Sequence, residues 1–320
     1  MRWLLLLLCT TPLHAEETLS SRIKKSLKLM QHSAETYISN RTCFSCHHQA
    51  LPALTVSLAR EHGFDIDRKK ARAQSQFTIR YFSKRITRLV KGNGVPGGSY
   101  NAGYTLLSLH ADEWKADKTT DALVQYLLKR HENGFWKIIT RRPPLEASHF
   151  TATALAIRAL RLYAKDQSAI ESPINQAKQW LIKTKAKSNE DQSFQILGLK
   201  WSHATPQTIE PFKKALLKSQ REDGGWAQLP KMKSDAYATG QALVALHEAG
   251  VKPDHEQWRK GIAFLIRNQL DDGSWKVESR SKPFQKYFES GFPHKKNQWI
   301  SITASSWATQ ALILSMPKGK

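Results

Sequence analysis

One stretch of the 320 residues combines types and spacing that carry chemistry: Cys43-Phe44-Ser45-Cys46-His47. Two thiols three positions apart, followed at once by an imidazole, have the spacing that tethers a c-type haem. Two thioethers would anchor the porphyrin edge and leave the adjacent ring to bind iron. On this reading Cys43, Cys46 and His47 are cofactor-binding residues, His47 is an iron ligand, and one covalent haem c is expected. The same residues admit other chemistry. The cysteine pair can close a short disulfide or act as a redox couple, and with His47 and His48 it offers sulfur and nitrogen ligands to zinc. Cys46-His47-His48-Gln49 also has the Cys-x-x-Gln spacing of an internal thioester. His48 cannot reach the far face of a haem bound by its neighbour, so a hydrogen-bonding role is expected for it.

Such a motif must be held by the elements around it, and the chain repeats itself. Gln220-Arg221-Glu222-Asp223-Gly224-Gly225-Trp226 matches Gln269-Leu270-Asp271-Asp272-Gly273-Ser274-Trp275 at a distance of 49 residues. His131-Glu132-Asn133-Gly134-Phe135-Trp136 is a degenerate third copy, and Gly97-Gly98-Ser99-Tyr100 reads as a fourth with Tyr for Trp. Each copy follows an amphipathic stretch and precedes one rich in Ala, Thr and Leu. Small residues at helical spacing let helices approach closely, so the second kind reads as inner helices and the Lys- and Arg-rich kind as outer ones. Outer helices are expected near 20–39, 66–91, 118–131, 171–186, 207–220 and 255–269. Inner helices are expected near 47–62, 100–111, 149–164, 191–203, 235–249 and 301–316. Six hairpins, none able to bury its apolar face alone, close into an all-α (α/α)6 toroid, an alpha-alpha barrel.

The Gln-x-x-x-Gly-x-Trp copies, with Gly261-Ile262-Ala263-Phe264-Leu265 running into Gln269 and Trp275, resemble the QW repeats of squalene and hopene cyclases and of related prenyltransferases. The resemblance is strong over 206–275 and weaker over 94–160. It implies the toroid, and an apolar small molecule in the central cavity. It does not bring the chemistry of those families with it. Class II terpene cyclases protonate their substrate with a D-x-D-D tetrad, from which Asp65-Ile66-Asp67-Arg68 and Asp271-Asp272-Gly273 both depart. Protein prenyltransferases need an Asp/Cys/His zinc set, and Cys43 and Cys46 lie outside the late repeats.

Aligning the inner helices on Ser57-Leu58, Ala159-Leu160, Ala245-Leu246 and Ala311-Leu312 places His47, His149, Asp235 and Ser301 at one register. Their side chains should converge on one mouth of the ring. His149 is therefore the first candidate for a sixth haem ligand, with Met232 and His294 in entering loops after it. A vacant sixth position would favour small-molecule chemistry and a filled one electron transfer. Tyr100, Tyr104, Tyr237, Gln241 and Trp307 are expected along the cavity wall.

Arg2, the apolar run Trp3 to Leu8, and Leu13-His14-Ala15 compose a signal peptide over residues 1–15. A lipoprotein site at Cys9 is weakened by Leu8 before it. The toroid then occupies 16–320, in the periplasm or outside the cell. Cleavage leaves two cysteines of three, both in the motif, and lowers the net charge from +22 to +21. No later apolar run is long enough for a stable membrane span. Mean hydropathy of −0.51 with ten Trp, twelve Phe and eight Tyr describes a globular chain with a sizeable core. The basic runs Arg68-Lys69-Lys70-Ala71-Arg72, Lys183-Thr184-Lys185-Ala186-Lys187 and Lys295-Lys296 fall on outer helices or loops. They suit an acidic redox partner better than nucleic acid, which is not expected. The leading expectation is an exported haem c toroid with a redox or electron-transfer role at the cavity mouth. A haem-free toroid acting on an apolar ligand, with Cys43 and Cys46 as a disulfide, and a metal-dependent hydrolase or lyase are the alternatives.

Overall fold

The computed structural model describes residues 17–283 and 285–317; the signal segment 1–15 lies outside the described residues. Twelve of the helices alternate outward and inward. The outer ones are α1 (Leu19–Asn40), α3 (Arg68–Ser83), α6 (Lys118–Lys129), α8 (Ser168–Lys183), α10 (Pro206–Lys218) and α12 (Glu256–Arg267). The inner ones are α2 (Leu51–Glu61), α5 (Gly98–Ala111), α7 (His149–Tyr163), α9 (Asn189–Trp201), α11 (Ala236–Glu248) and α13 (Gln298–Leu314). A π-helical turn, Cys46–Ala50, leads into α2. The starts are fixed locally: Asp67, Asp117, Ser148, Ser188, Thr205 and Asp235 each cap a helix by accepting a backbone N–H of its first turn.

The inner helices run parallel, and small residues set their spacing. A Cβ on Gly240 of α11 would sit 2.5 Å from the Ala308 nitrogen of α13, so the two backbones touch. The ring closes where α13 meets the first hairpin. Gln310 Nε2 donates to Thr55 Oγ1 at 2.9 Å, Thr55 Oγ1 donates to the Ser306 carbonyl at 3.3 Å, and Thr309 bonds Ser26 at 2.9 Å. The (α/α)6 toroid is thus the observed architecture, with the core between its two layers.

The repeat has a mechanical reason. Trp136, Trp226 and Trp275 are buried, and each indole N–H donates to a carbonyl at the end of the preceding outer helix: Leu127 at 2.7 Å, Leu216 at 2.9 Å and Leu265 at 2.8 Å. Each Trp backbone N–H donates to a hydroxyl on the following inner helix, Thr153, Thr239 or Ser305. Gln220 Nε2 bonds the Gly224 and Gln257 carbonyls, and Gln269 Nε2 bonds those of Gly273 and Arg22. The glutamine therefore ties its own turn to the next outer helix, and for Gln269 the next one is α1. Gly224 and Gly273 are left-handed (φ +87° and +86°), where a side chain would also strike the next outer helix.

Two expectations change. Helix 66–91 is broken, because Arg85 N–H bonds the Phe82 carbonyl and the Arg85 guanidinium folds back over Tyr81 at 3.7 Å; α4 (Ile86–Val90) follows. Gly97-Gly98-Ser99-Tyr100 is not a fourth turn, since α5 begins at Gly98 and Tyr100 lies on the inner layer.

Candidate functional site

The ring has two accessible ends and a closed polar layer between them. At the end formed by the carboxyl-terminal halves of the inner helices, a funnel of about 260 Å³ opens. Leu54, Leu107, Leu155, Leu197, Val244 and Leu314 wall it, one from each inner helix. Tyr104, Phe194 and Trp307 also line it, with Phe194 and Trp307 ring centroids 6.1 Å apart and edge to face. Trp307 is buried, yet its indole N–H has no hydrogen-bond partner. A buried donor without a partner costs about 1–3 kcal/mol, which a ligand acceptor recovers. Arg158, Glu61 and Glu248 give the funnel a charged rim, beside which burial and Arg158 hold His110 toward its neutral form.

One helical turn deeper, Glu190 shares a face of α9 with Phe194. It is buried and accepts from Tyr237 Oη, from Thr151 Oγ1 at 2.7 Å and from Gln241 Nε2 at 2.8 Å. Burial pushes its carboxyl up to about 7 in spite of three donors that favour the charged form. Asn189 Nδ2 bonds the Gln241 side chain at 3.2 Å, and Tyr100 stands in the same layer beside the Cys46 thiol. Of the expected wall residues, Tyr104 and Trp307 line the funnel, whereas Tyr237 and Gln241 serve Glu190. Sequence reasoning missed Glu190, because an acid in Ser188-Asn189-Glu190-Asp191 reads as an ordinary helix start. No sequence signal separates it from its neighbour Asp191, which accepts from Ser148 Oγ and the Lys187 amide.

At the opposite end, the amino termini of the inner helices carry the cysteine motif. The haem c expectation is corrected here. Its two thiols do not face one open surface: Cys46 is buried in the core, and Cys43 lies against Tyr37, with Sγ 3.3 Å from the phenol oxygen. Both thiols are free in this structure, rather than joined as in the disulfide alternative. His47 Nδ1 meets His48 Nδ1 at 2.5 Å. Burial, with help from the Arg142 charge, lowers His47 to about 3, and burial lowers His48 well below the usual range. These residues do not form a porphyrin seat, and among the described residues no group of three or more His, Cys, Asp or Glu is placed to hold a metal ion.

His149 does not turn toward His47. It is exposed, packs its ring on Phe135 at 5.3 Å, and accepts the Ile138 amide at 3.0 Å through Nδ1. Met232 is half-buried in a turn, its amide bonded to the Leu229 carbonyl. His294 bonds Ser274 Oγ at 2.8 Å. The shared register of His149, Asp235 and Ser301 is real but structural. Each side chain holds the residue two places after a repeat tryptophan: Ile138, Gln228 and Val277.

With this geometry in view, the similarities to known proteins fall into place. Residues 168–269 match the squalene-hopene cyclase N-terminal domain. A stretch of 72 residues is 33% identical to lanosterol synthase of Candida albicans; it covers 20% of this chain and only 10% of that enzyme. Among solved structures, a type II terpene cyclase from Scytonema bound to geranylgeranyl dihydroxybenzoate aligns with TM-score 0.54 and 11% identity, over 92% of this chain and 98% of that one. The ent-copalyl diphosphate synthase of Streptomyces platensis aligns at 0.57 and 13%, over 83% and 50%. A possible GH105 family member from Salmonella enterica aligns at 0.58 and 12%, over 97% and 98%. The chain therefore has a terpene cyclase-like toroid fold. This likeness, together with the donor arrangement, overturns the haem, and the acidic redox partner is left without support.

Proposed function

We propose that this protein binds a short apolar ligand, of isoprenoid type, in the funnel of its ring. The observation that carries the reading is the apolar funnel itself, walled from all six inner helices and holding one unpaired indole N–H. A volume of about 260 Å³ suits a small isoprenoid better than a polycyclic triterpene. The similarity to cyclases acting on isoprenoid chains supports the ligand class. Asp65 is exposed, Asp67 caps an outer helix, and Asp271 and Asp272 are exposed on an outer turn, so neither of these two acid groups faces the ring. Farnesol titrated into the protein by calorimetry is expected to bind with micromolar affinity, about −8 kcal/mol. Leu197→Trp, which fills the funnel, should abolish the heat; equal binding by that variant would overturn the reading.

A second reading, that the ligand is transformed, is favoured by Glu190. A carboxyl near half-protonation at neutral pH, one turn behind Phe194, is suited to passing a proton to or from a bound molecule. If so, farnesol incubated with the protein should yield a new product by mass spectrometry, and Glu190→Gln should still bind but give none. The composition of residues 1–15 supports export, which is tested by N-terminal sequencing of the secreted chain, expected to begin at Glu16.

A further inference from the structure

The cysteine-motif end of the ring holds a second cavity, of about 380 Å³, separate from the funnel. His47 and His48 form one side, Trp299 at the start of α13 another, and the segment after Trp275 passes over it with Lys282, Lys286 and Phe288. Lys296 completes a set of three ammonium groups. Among the described residues that line it none is acidic, and none of the three lysines makes an ion pair. The nearby Glu289 is already engaged, accepting from the Tyr287 hydroxyl at 2.7 Å and the Gly291 amide at 2.8 Å.

The decisive group is His48. It is 0% exposed, its ring is held between Tyr37, stacked at 5.2 Å, and the His47 contact, and its Nε2 has no partner although the residue lines the cavity. A neutral imidazole carries one N–H. In the tautomer where His47 Nδ1 donates across the contact between the rings, His48 carries its proton on Nε2, and an anion in the cavity selects that tautomer over the reverse one. In that tautomer the ring is a donor held in place by its neighbours, backed by positive charge and flanked by aromatic faces.

We infer that this cavity binds an amphipathic organic anion, its oxyanion held by His48 Nε2–H and the lysines and its apolar part by Trp299 and Phe288. Charge-assisted bonds give the affinity and the aromatic wall gives the preference for a tail. The inference does not depend on the funnel reading, because no residue lines both cavities.

The test uses the full chain carrying Leu197→Trp, so that the funnel is filled, and follows by calorimetry the binding of octyl phosphate, octanoate, octanol and inorganic phosphate. Octyl phosphate and octanoate are both expected to bind at least tenfold more tightly than octanol and than inorganic phosphate. The exposed triple variant Lys282→Ala/Lys286→Ala/Lys296→Ala should lose at least tenfold in affinity for both anions and none for octanol. His48→Gln, which keeps a donor, should retain binding in part, whereas His48→Leu should not. If octanol matches octyl phosphate, if inorganic phosphate matches it, or if the triple variant binds unchanged, the inference fails. Failure with farnesol still binding to the unmodified chain would leave the funnel reading intact.

Discussion

Glu190 shows how one residue can set the behaviour of the ring's interior. Its folded carboxyl holds a proton up to about 7, above the ordinary value of 4.5, so the folded state binds more protons than the unfolded one between those values. Stability contributed by Glu190 therefore falls as pH rises from about 4.5 to 7 and is flat beyond. The full span corresponds to about 3 kcal/mol. Glu190→Gln should remove this slope, and urea midpoints across pH 5 to 8 will reveal it. His47 works in the other sense: lowered to about 3, it withdraws stability as pH falls below 6.5. His149 teaches a different lesson at this scale. Its register was legible from the sequence, but its partner, the Ile138 backbone, was not. Spacing fixes where a side chain starts and says nothing of a loop strand that bends back to meet it. The cysteine motif is a sharper case, since Cys-x-x-Cys-His fixes spacing while the π-turn at Cys46–Ala50 decides that one thiol enters the core.

At the scale of elements, the glutamine and tryptophan of each repeat are joints rather than packing alone. Gln269→Ala removes the bonds to Gly273 and Arg22 together and is expected to cost about 1–3 kcal/mol, read as a lower melting point with the helical spectrum unchanged. Gly240→Val on α11 should cost more, about 3 kcal/mol, because its side chain meets the backbone of α13 and nothing flexible can yield. Five of the six outer helices and all six inner ones were legible, because apolar periodicity and small-residue faces extend over whole helices. The break at Lys84 was not, since it depends on one guanidinium folding onto Tyr81. Gly97-Gly98 was misread as a repeat turn because two adjacent glycines look alike whether they end an element or begin one, whereas Tyr100 lies on the inner layer as the cavity-wall reading expected.

For the whole molecule, the count of hairpins was enough to give the ring, but the uses of its two ends were not. Those uses depend on side chains from six helices and one long segment meeting in space. Thr55→Val tests closure itself: it deletes both hydroxyl bonds across α2 and α13 and should destabilise the entire ring by about 1–3 kcal/mol. Tryptophan fluorescence and far-ultraviolet circular dichroism are expected to report one coincident urea transition, shifted as a unit by that change.

The Gln269 bond to Arg22 has one more implication. In an open stack of repeats the outermost unit has a neighbour on one side only, and melting begins there. Here the last tryptophan turn is clasped to the first helix, so every unit has two neighbours and no boundary exists for fraying to start from. Opening one unit then exposes two flanks at once, which makes the ring rigid up to the point where it comes apart altogether.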